Sequence, residues 1–301
     1  MRRYLPQDAW FLAGILLPSI LLLAVFVYYP AISTFSTSLS SLNLRTNRPA
    51  EFILFGNYER LLQGPEFWEV TGRSLTVVAL ALPLEMAIGL AIALLLNERF
   101  PGRSVVRALV ILPWMVPPVV NGFLWGWLLN GEYGAFNGLL YQLGIIQEYR
   151  YWLQDPMAQI GWVAIVQTWT RFAFPMVILL AGLQAIPDDI YDSAKVDGAN
   201  SWQRLWQITF PMLLPSFAIA LIVEFIAAFQ IFDVIWTLTS GGGAGGTINP
   251  FTKTLMLYNY QLVFRDLRLG LGAALSYLIL LMSSGVGFLF IWRIYNQGVR
   301  E

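Results

Sequence analysis

Four charged side chains stand inside long apolar stretches of this chain, and they are its strongest candidates for chemistry. They are Glu85, Arg171, Glu224 and Asp233. A charge in apolar surroundings is costly, so such residues pair with one another or contact a polar solute. The sequence favours pairing for Glu85 and Arg171, with Arg171 bonding to Glu85 or to Glu224. Asp233 lies near the end of its stretch, where it can also reach water.

The composition excludes most catalytic chemistry. The 301 residues include no His and no Cys, which removes disulfides, thiol nucleophiles, imidazole bases and the usual zinc and haem ligands. Any metal site would consist of carboxylates alone, and we predict neither a metal site nor a catalytic residue. The formal net charge is zero, so nothing in the composition indicates binding to nucleic acid.

A glycine-rich run at 241–246 has the composition of a phosphate-binding loop but not its motif. It lacks the Gly-Lys-Ser/Thr that a P-loop requires. A flexible loop is therefore the favoured interpretation. The chain has no other nucleotide-binding motif, and we predict that it binds no cofactor itself.

Apolar stretches long enough to cross a membrane dominate the chain. Hydrophobic residues make up 57% of it and charged residues 12%, whereas about a quarter of the residues are charged in a soluble domain. A spanning helix needs about 20 mostly apolar residues. Six windows meet this requirement: Ala9–Tyr29, Ser74–Leu96, Ala108–Leu129, Met157–Leu183, Met212–Leu238 and Leu269–Trp292. The first is too long for a signal peptide and lacks a cleavage site, so an uncleaved span is predicted.

The distribution of basic residues orients these six windows. Short segments on one side contain nine: Arg2, Arg3, Arg99, Arg103, Arg107, Lys195, Arg204, Arg293 and Arg300. The longer loops on the other side contain eight: Arg45, Arg48, Arg60, Arg73, Arg150, Lys253, Arg265 and Arg268. The positive-inside rule assigns the first set, and with it both termini, to the cytoplasm.

These observations predict an all-α integral membrane protein with six spans. Residues 1–69 would form the first span and an extracytoplasmic loop, residues 70–293 the core, and residues 294–301 a cytoplasmic tail. The core would include a cytoplasmic loop at 187–211, which is unusually long and polar for a connection between two spans.

Helix signals divide the 187–211 loop into two parts. Pro187 followed by two aspartates indicates a helix start, because proline suits the first turn and carboxylates suit the positive end of the helix dipole. Gly198 permits a sharp turn, and Asp197 is predicted to cap a second helix from about Ala199. That helix would carry a bulky apolar side made of Trp202, Leu205, Trp206 and Thr209.

Pro211 and Pro215 would mark the entry into the fifth span. From this pattern alone, an interfacial helix that only joins two spans remains an alternative.

The loop resembles the "EAA" loop of binding-protein-dependent ABC import permeases. Its pattern is D-S-A-x-x-D-G-A-x8-I-x-F-P, from Asp192 to Pro211. Asp192 stands where the family usually has Glu, and Phe210 where it usually has Leu. Further family-like segments occur in order: 111–118, 130–137, 167–169, 180–187, 232–233 and 238–243. Together they cover roughly residues 70–292 and are similar to the sugar-type subgroup, which includes the maltose and glycerol-3-phosphate permease subunits.

The resemblance implies a type I ABC importer permease fold in the inner or plasma membrane of a prokaryote. It implies that the loop docks on an ATPase subunit through Asp192, Ser193, Ala194, Asp197, Gly198, Ala199, Ile208 and Pro211. The implied partners are a second homologous permease, two ATPase subunits that bind ATP and Mg, an extracytoplasmic solute-binding protein and membrane lipid, with no nucleic acid. The implied cargo is a sugar or oligosaccharide, with glycerol-3-phosphate or another small polar solute as the alternative.

Six side chains are candidates for the substrate pathway: Gln167, Trp169, Arg171, Glu224, Gln230 and Asp233. Amides, carboxylates and aromatic faces suit a polyol, and Arg171 is the only deep cation that a phosphate could use, so the set favours a neutral sugar. At 100° per residue, Glu224, Gln230 and Asp233 cannot share one narrow helix face. Structural pairing and solute contact both stay open for Glu224 and Gln230.

Two other classes of protein fit the sequence less well than a permease subunit does. A self-sufficient secondary transporter usually shows internal repeats and ion-coupling carboxylates at mid-membrane, and the chain has no convincing repeat. A membrane enzyme is disfavoured because His, Cys and any clustered carboxylate motif are missing from the sequence.

Overall fold

Helices make up most of the described chain. The computed structural model describes residues 6–46, 49–239 and 248–298. In chain order the helices are α1 Pro6–Leu23, α2 Tyr29–Ser38, α3 Gly56–Gln63, α4 Pro65–Asn97, α5 Arg103–Met115, α6 Pro118–Leu128, α7 Ala135–Gln142, α8 Pro156–Arg171, α9 Ala173–Gln184, α10 Asp188–Val196, α11 Ser201–Arg204, α12 Phe210–Phe229, α13 Asp233–Thr239, α14 Leu255–Tyr260 and α15 Leu269–Gly298. Single π-turns precede α2 and α12 and follow α14, at Ala24–Tyr28, Leu205–Thr209 and Gln261–Arg265.

The chain divides into two compact units. One contains the described residues up to Pro65 together with Asn259–Leu280, and the other contains Glu66–Tyr258 and the described residues from Leu281 onward.

The all-helical class predicted from the sequence is confirmed. Within the described residues, extended pairing is limited to one isolated bridge between Ser40 and Phe52.

Four helical segments, one of them with a short break at 230–232, are long and apolar enough to cross a membrane. They are Phe11–Ser38, Pro65–Asn97, Ser201–Thr239 and Leu269–Phe290. The third and fourth predicted windows are each broken into a bent pair, with 92° between α5 and α6 and 45° between α8 and α9. The described chain therefore has four to six spans, depending on whether each bent pair crosses as one.

Pro117 separates the two helices at the right-angle break in the third window. Val116 precedes Pro117 and adopts an extended backbone (φ −77°, ψ 127°), because the ring of a following proline disfavours the helical conformation. The break exposes carbonyl groups that helix continuation would have used. The buried amide of Asn121 donates to two of them, on Pro113 (3.4 Å) and Val116 (3.3 Å). The apolar composition that defined the window contained no information about this angle.

Glycines allow α4, α9 and α12 to pack closely. A Cβ added at Gly89 of α4 would lie 3.0 Å from Pro175 Cγ, and one at Gly182 of α9 would lie 2.4 Å from Ser216 Oγ on α12. Small residues at such contacts let helix backbones approach, which is how helices associate in lipid without a hydrophobic driving force. A buried apolar cluster around Met86, Met176 and Leu213 fills the space between these helices.

Candidate functional site

The first half of the 187–211 loop forms α10, as predicted. Pro187 has an extended backbone immediately before the helix, and Asp188 and Asp189 occupy its first turn, where they favour the positive end of the dipole. Lys195 lies in the last turn and its Nζ is 2.8 Å from Asp192 Oδ1. Both of these side chains are exposed, so the pair contributes little to stability.

Gly198 ends α10 in the left-handed conformation, with φ +82°. The N–H of Gly198 donates to Lys195 O (3.1 Å) and the N–H of Ala199 to Ala194 O (2.9 Å), so the turn satisfies carbonyls that the helix end leaves open. A Cβ at this position would meet no atom within 4 Å. The glycine is therefore required for its backbone conformation rather than for space.

The residue that caps the next helix is Asn200, and the prediction for Asp197 is wrong. Asp197 keeps a helical backbone (φ −72°, ψ 0°) and ends α10, whereas an N-cap needs the extended conformation. Asn200 has that conformation (φ −74°, ψ 170°) and forms a capping box with Gln203, with two reciprocal 2.9 Å hydrogen bonds. The second helix consequently begins at Ser201.

The second helix is not a short separate element, which corrects a further prediction. From Ser201 the helix runs without interruption through the π-turn and into α12. Pro211 and Pro215 lie inside this run rather than at its start. The N–H of Phe210 bonds to Leu205 O across the π-turn, and this wider turn stands directly before Pro211, which cannot donate.

Bulky aromatic rings follow one side of this continuous helix, as the spacing predicted. The centroids of Trp202 and Trp206 are 5.6 Å apart, those of Trp206 and Phe210 are 5.3 Å apart, and those of Phe210 and Phe217 are 5.6 Å apart. Trp202 is 68% exposed and Trp206 is 49% exposed. The end of the row therefore presents apolar surface to the outside of the chain.

The predicted docking residues divide by exposure. Asp192, Ser193, Asp197, Gly198 and Pro211 are exposed, while Ala199 and Ile208 are half-buried. Ala194 is buried, so its side chain faces the chain itself and is not available to a partner. Val196 was not among the predicted residues, yet at 88% it is the most exposed large apolar side chain of the described chain.

A hydrogen bond braces α10 against the base of the next helix. Tyr191 Oη lies 3.1 Å from the buried Thr209 Oγ1. Beside this contact, an open cavity of about 770 Å³ separates α10 from the end of α4. Its charged lining residues are Glu98, Arg99, Asp188, Asp192, Lys195 and Arg204. The two halves of the loop are thus fixed to each other around a polar cleft.

Within the helices, Arg171 of α8 pairs with Glu224 of α12. Nε lies 2.8 Å from Oε2 and Nη2 lies 3.2 Å from Oε1, which is a bidentate arrangement. Glu224 is fully buried, while the Arg171 side chain is 24% exposed. One of the two pairings predicted for Arg171 is therefore confirmed.

Glu85 of α4 completes the group, which we name the charge cluster (Glu85, Arg171 and Glu224). Glu85 is fully buried and lies within electrostatic reach of both other members. Both hydrogen bonds that Arg171 donates within this cluster go to Glu224 rather than to Glu85. The predicted pairing of Arg171 with Glu85 is thus not the one that forms here.

The other substrate-pathway candidates lie on α8, at the end of α12 and at the start of α13. Gln167 is buried in α8, and Trp169 is 47% exposed, with its ring 6.4 Å from that of Trp125. Gln230 ends α12, and Asp233 begins the separate helix α13. The predicted angles between Glu224 and Asp233 assumed one unbroken helix, so they do not apply across the break at 230–232.

Sequence reasoning missed a buried segment at 252–258. The region 240–268 was predicted to be an outer loop, yet Thr254, Leu255 and Leu257 are buried. The Leu255 N–H donates 2.9 Å to Ser74 Oγ of α4, and Lys253 pairs with Glu66. The run of apolar residues from Leu255 to Tyr258, free of turn residues, could have indicated burial. The glycine-rich run at 241–246 lies outside the described residues.

Comparison with known proteins is consistent with this arrangement. The family model described as "binding-protein-dependent transport system inner membrane component" matches residues 85–301. That span includes the 187–211 loop and every member of the charge cluster.

Three similar proteins cover nearly the whole chain. The trehalose/maltose transport system permease protein MalF of Thermococcus litoralis is 36% identical over 92% of this chain and 92% of its own length. The sulfoquinovosyl glycerol transport system permease protein SmoG of Agrobacterium fabrum is 35% identical over 96% and 92%. In the solved structure of a bacterial alginate ABC transporter in complex with an alginate pentasaccharide-bound periplasmic protein, one chain has the same fold, with a TM-score of 0.79, 22% identity and coverage of 94% and 93%.

Proposed function

This chain belongs to the family of binding-protein-dependent transport system inner membrane components, and we propose that it is a permease subunit of an ATP-driven importer of a sugar or oligosaccharide. The subunit itself performs no covalent chemistry. ATP and Mg bind to partner ATPase subunits, and an extracytoplasmic solute-binding protein delivers the cargo to this chain and a second, homologous permease.

The proposed topology has six spans and two cytoplasmic termini. Each bent pair, α5 with α6 and α8 with α9, counts as one span. The bias of basic residues toward short segments supports this orientation. It assigns the 187–211 loop, hereafter the coupling loop, to the cytoplasm, where ATP is available.

One observation carries the coupling mechanism: the helix that begins inside the coupling loop is the helix that carries Glu224. Trp202 and Glu224 lie 22 residues apart on the continuous run that starts at Ser201. At 1.5 Å per residue they are separated by roughly 33 Å along one rod. A displacement of the exposed loop therefore reaches the membrane interior along one helix, which includes a π-turn and two prolines.

The exposed apolar side chains of the coupling loop form the contact with the ATPase. Val196, Trp202 and Trp206 are largely exposed, and an apolar group of this kind on a cytoplasmic loop marks a protein interface. Gly198 holds the turn between Val196 and Trp202. When the ATPases close on ATP, they move this surface, and the bundle changes between inward-facing and outward-facing states. The change between the two states is driven by ligands that bind one state more tightly than the other.

Carbohydrate is the cargo class that the relatives' names and the side chains both favour. The relatives are named for trehalose and maltose, sulfoquinovosyl glycerol and alginate. Trp169 and Gln167 on α8 offer an aromatic face and an amide, which suit sugar hydroxyls and rings. Arg171 is the only cation predicted deep within the spans that a phosphate ester could bind, and it is already paired with Glu224.

Reconstitution in proteoliposomes tests this function. The chain alone should neither hydrolyse ATP nor take up solute in response to a proton or sodium gradient. With both ATPase subunits, the second permease and the loaded binding protein present, solute-stimulated ATP hydrolysis and uptake should appear together. Gradient-driven uptake by the lone chain would instead support a secondary transporter. A thermal-shift screen of the binding protein against sugars then identifies the cargo.

A further inference from the structure

A rigid frame surrounds a small polar cavity in the unit that contains α3. The buried amide of Asn57 donates to Ser38 O at 2.8 Å and to Ser40 O at 2.7 Å. The Gly270 N–H bonds to Leu42 O at 2.9 Å, and a Cβ at Gly270 would lie 2.2 Å from Ser40 O. The segment after Ser38, the helix α3 and the start of α15 are therefore fixed to one another by backbone contacts.

Two arginines line the cavity that this frame encloses. Its volume is about 250 Å³, and its lining residues are Ser41, Leu42, Asn43, Asn57, Arg60, Arg268 and Leu271. Arg60 is on α3 and Arg268 immediately precedes α15. Both are exposed. Neither forms an ion pair with any residue that the structure describes.

The charged groups around the cavity are both hydrogen-bond donors. Ser41 Oγ already accepts from the Glu51 N–H at 3.0 Å, and Asn43 Oδ1 accepts from the Arg45 N–H at 2.9 Å. The two guanidinium groups can only donate. A site lined by two cations and by no anionic side chain is complementary to an anion, and arginine matches the planar geometry of a carboxylate.

The size and exposure of the cavity favour a side chain over a free solute. Pockets for small molecules typically have volumes of about 300–1,000 Å³, and this cavity is smaller and opens beside exposed residues. In the proposed topology, the segment between α2 and α4 and the segment before α15 both lie on the extracytoplasmic side. A protein that approaches from that side meets the two arginines.

We propose that Arg60 and Arg268 bind a carboxylate side chain of the extracytoplasmic solute-binding protein and so dock it on this permease. This inference rests on the proposed function and topology. Two unpaired cations on a fixed frame give a docked protein both attraction during approach and a defined register. The site acts in docking and makes no contact with cargo.

Charge reversal in the complete transporter tests the site. The double variant Arg60→Glu/Arg268→Glu is compared with Arg45→Glu, a reversal at an exposed arginine of the same segment that does not line the cavity. The measurement is the concentration of purified cognate binding protein, loaded with its sugar, that gives half-maximal ATPase stimulation in proteoliposomes. We expect this concentration to rise at least about tenfold in the double variant, because its new carboxylates repel the carboxylate that the arginines bind, and less than about twofold in Arg45→Glu, which lies outside the cavity. The difference should shrink at high salt.

The possible outcomes separate the two proposals. If the wild-type complex shows no stimulation by the binding protein, the proposed function fails and the docking site with it. If the wild-type complex is stimulated and the double variant responds equally, the docking inference alone is wrong. Loss of the second permease from the purified double variant would also overturn it, because the arginines would then serve subunit assembly. Should the double variant fail to fold or insert, the single variants Arg60→Gln and Arg268→Gln give the same test without charge reversal.

Discussion

The charge cluster and the coupling loop differ in the surroundings of their side chains. The ion pair of the cluster forms between helices of the chain, whereas the loop presents apolar side chains to the outside. In the charge cluster, Glu224 is fully buried and Arg171 satisfies it from within the same chain. In the coupling loop, the charged pair Lys195–Asp192 is exposed and satisfied locally, while Val196 and Trp202 face outward. A buried charge that has a partner indicates a role inside the bundle, whereas an exposed apolar side chain indicates a surface that is completed by another molecule.

The two regions are joined because one continuous helix contributes to both. Ser201 to Phe229 includes the exposed aromatic rings at its beginning and Glu224 near its end. The contrast therefore describes the two ends of one mechanical element: a surface that receives force and an ion pair that fixes the helix to α8. Changes at the ion pair should affect stability, and changes at the surface should affect the partner.

The largest effect is expected from Arg171→Ala. Removal of one member of a buried pair leaves an uncompensated buried charge, at a cost of about 3–5 kcal/mol. The measurement is reversible unfolding of the purified chain in detergent. Lys195→Ala is the matched control, since it breaks an exposed pair worth less than about 1 kcal/mol. If the free energy of unfolding falls equally in the two variants, the Arg171–Glu224 pair stabilises the chain no more than an exposed pair does.

Gly198→Val should separate folding from coupling. A β-branched residue at φ +82° is strained by roughly 1–2 kcal/mol, and the open space around the position confines that strain to the turn. We expect membrane insertion to be normal and ATPase co-purification to fall by about five- to thirtyfold, the range that corresponds to about 1–2 kcal/mol.

Gly102→Val is the control for that experiment. Gly102 has φ +84° and also no atom within 4 Å of a built Cβ, but it precedes α5 and lies outside the coupling loop. The same backbone strain should there leave ATPase binding intact. Loss of ATPase binding in both variants, or in neither, would count against a docking role for the Gly198 turn.

Val196→Asp should weaken the ATPase contact without changing the fold. The side chain is 88% exposed, and exposed substitutions usually change stability by less than about 0.5 kcal/mol. Burying a new charge in an apolar interface should lower ATPase affinity by about five- to tenfold, the loss of a typical interface contact of about 1 kcal/mol or more. Titration of the ATPase onto the reconstituted permease measures this. An unchanged affinity would mean that Val196 lies outside the interface.

The smallest effect is expected from Tyr191→Phe. This variant loses the hydrogen bond to Thr209 that braces α10, a contribution of about 0.5–1.5 kcal/mol. Faster hydrogen exchange of the amides in α10 is the expected result, with little change in global unfolding. Tyr133→Phe, at an exposed tyrosine outside the loop, should leave exchange in α10 unchanged. If Tyr191→Phe also leaves it unchanged, the brace has no influence on the loop.

The sequence predicted those features that depend on local chemistry. Pro187 and the two aspartates indicated α10, Gly198 indicated its end, and the spacing of Trp202 and Trp206 indicated one helix face. Each of these signals lies within one or two helical turns. The helical class and the Arg171–Glu224 alternative followed from apolar composition and from the cost of an unpaired charge.

The features that the sequence did not predict depend on competition or on distant contacts. Asn200 and Asp197 are both good capping residues, and only the backbone conformation of the turn decides between them. The pairing of Glu66 with Lys253 joins positions 187 residues apart, for which no local pattern exists. The 92° angle between α5 and α6 was not predicted, because the search for apolar windows considers composition and gives no information about the direction of the helix axis.

Site-directed cross-linking tests the central claim, that the coupling loop receives the force of ATP binding, most directly. Because the chain has no native cysteine, Val196→Cys introduces a unique thiol into this subunit of the reconstituted transporter. We predict that a short thiol-directed cross-linker joins it to the ATPase subunit and that the yield changes when ATP is bound. Val105→Cys, an exposed position on the same proposed side of the membrane, should give no such product. Cross-linking of the ATPase from position 105 but not from position 196 would contradict the account.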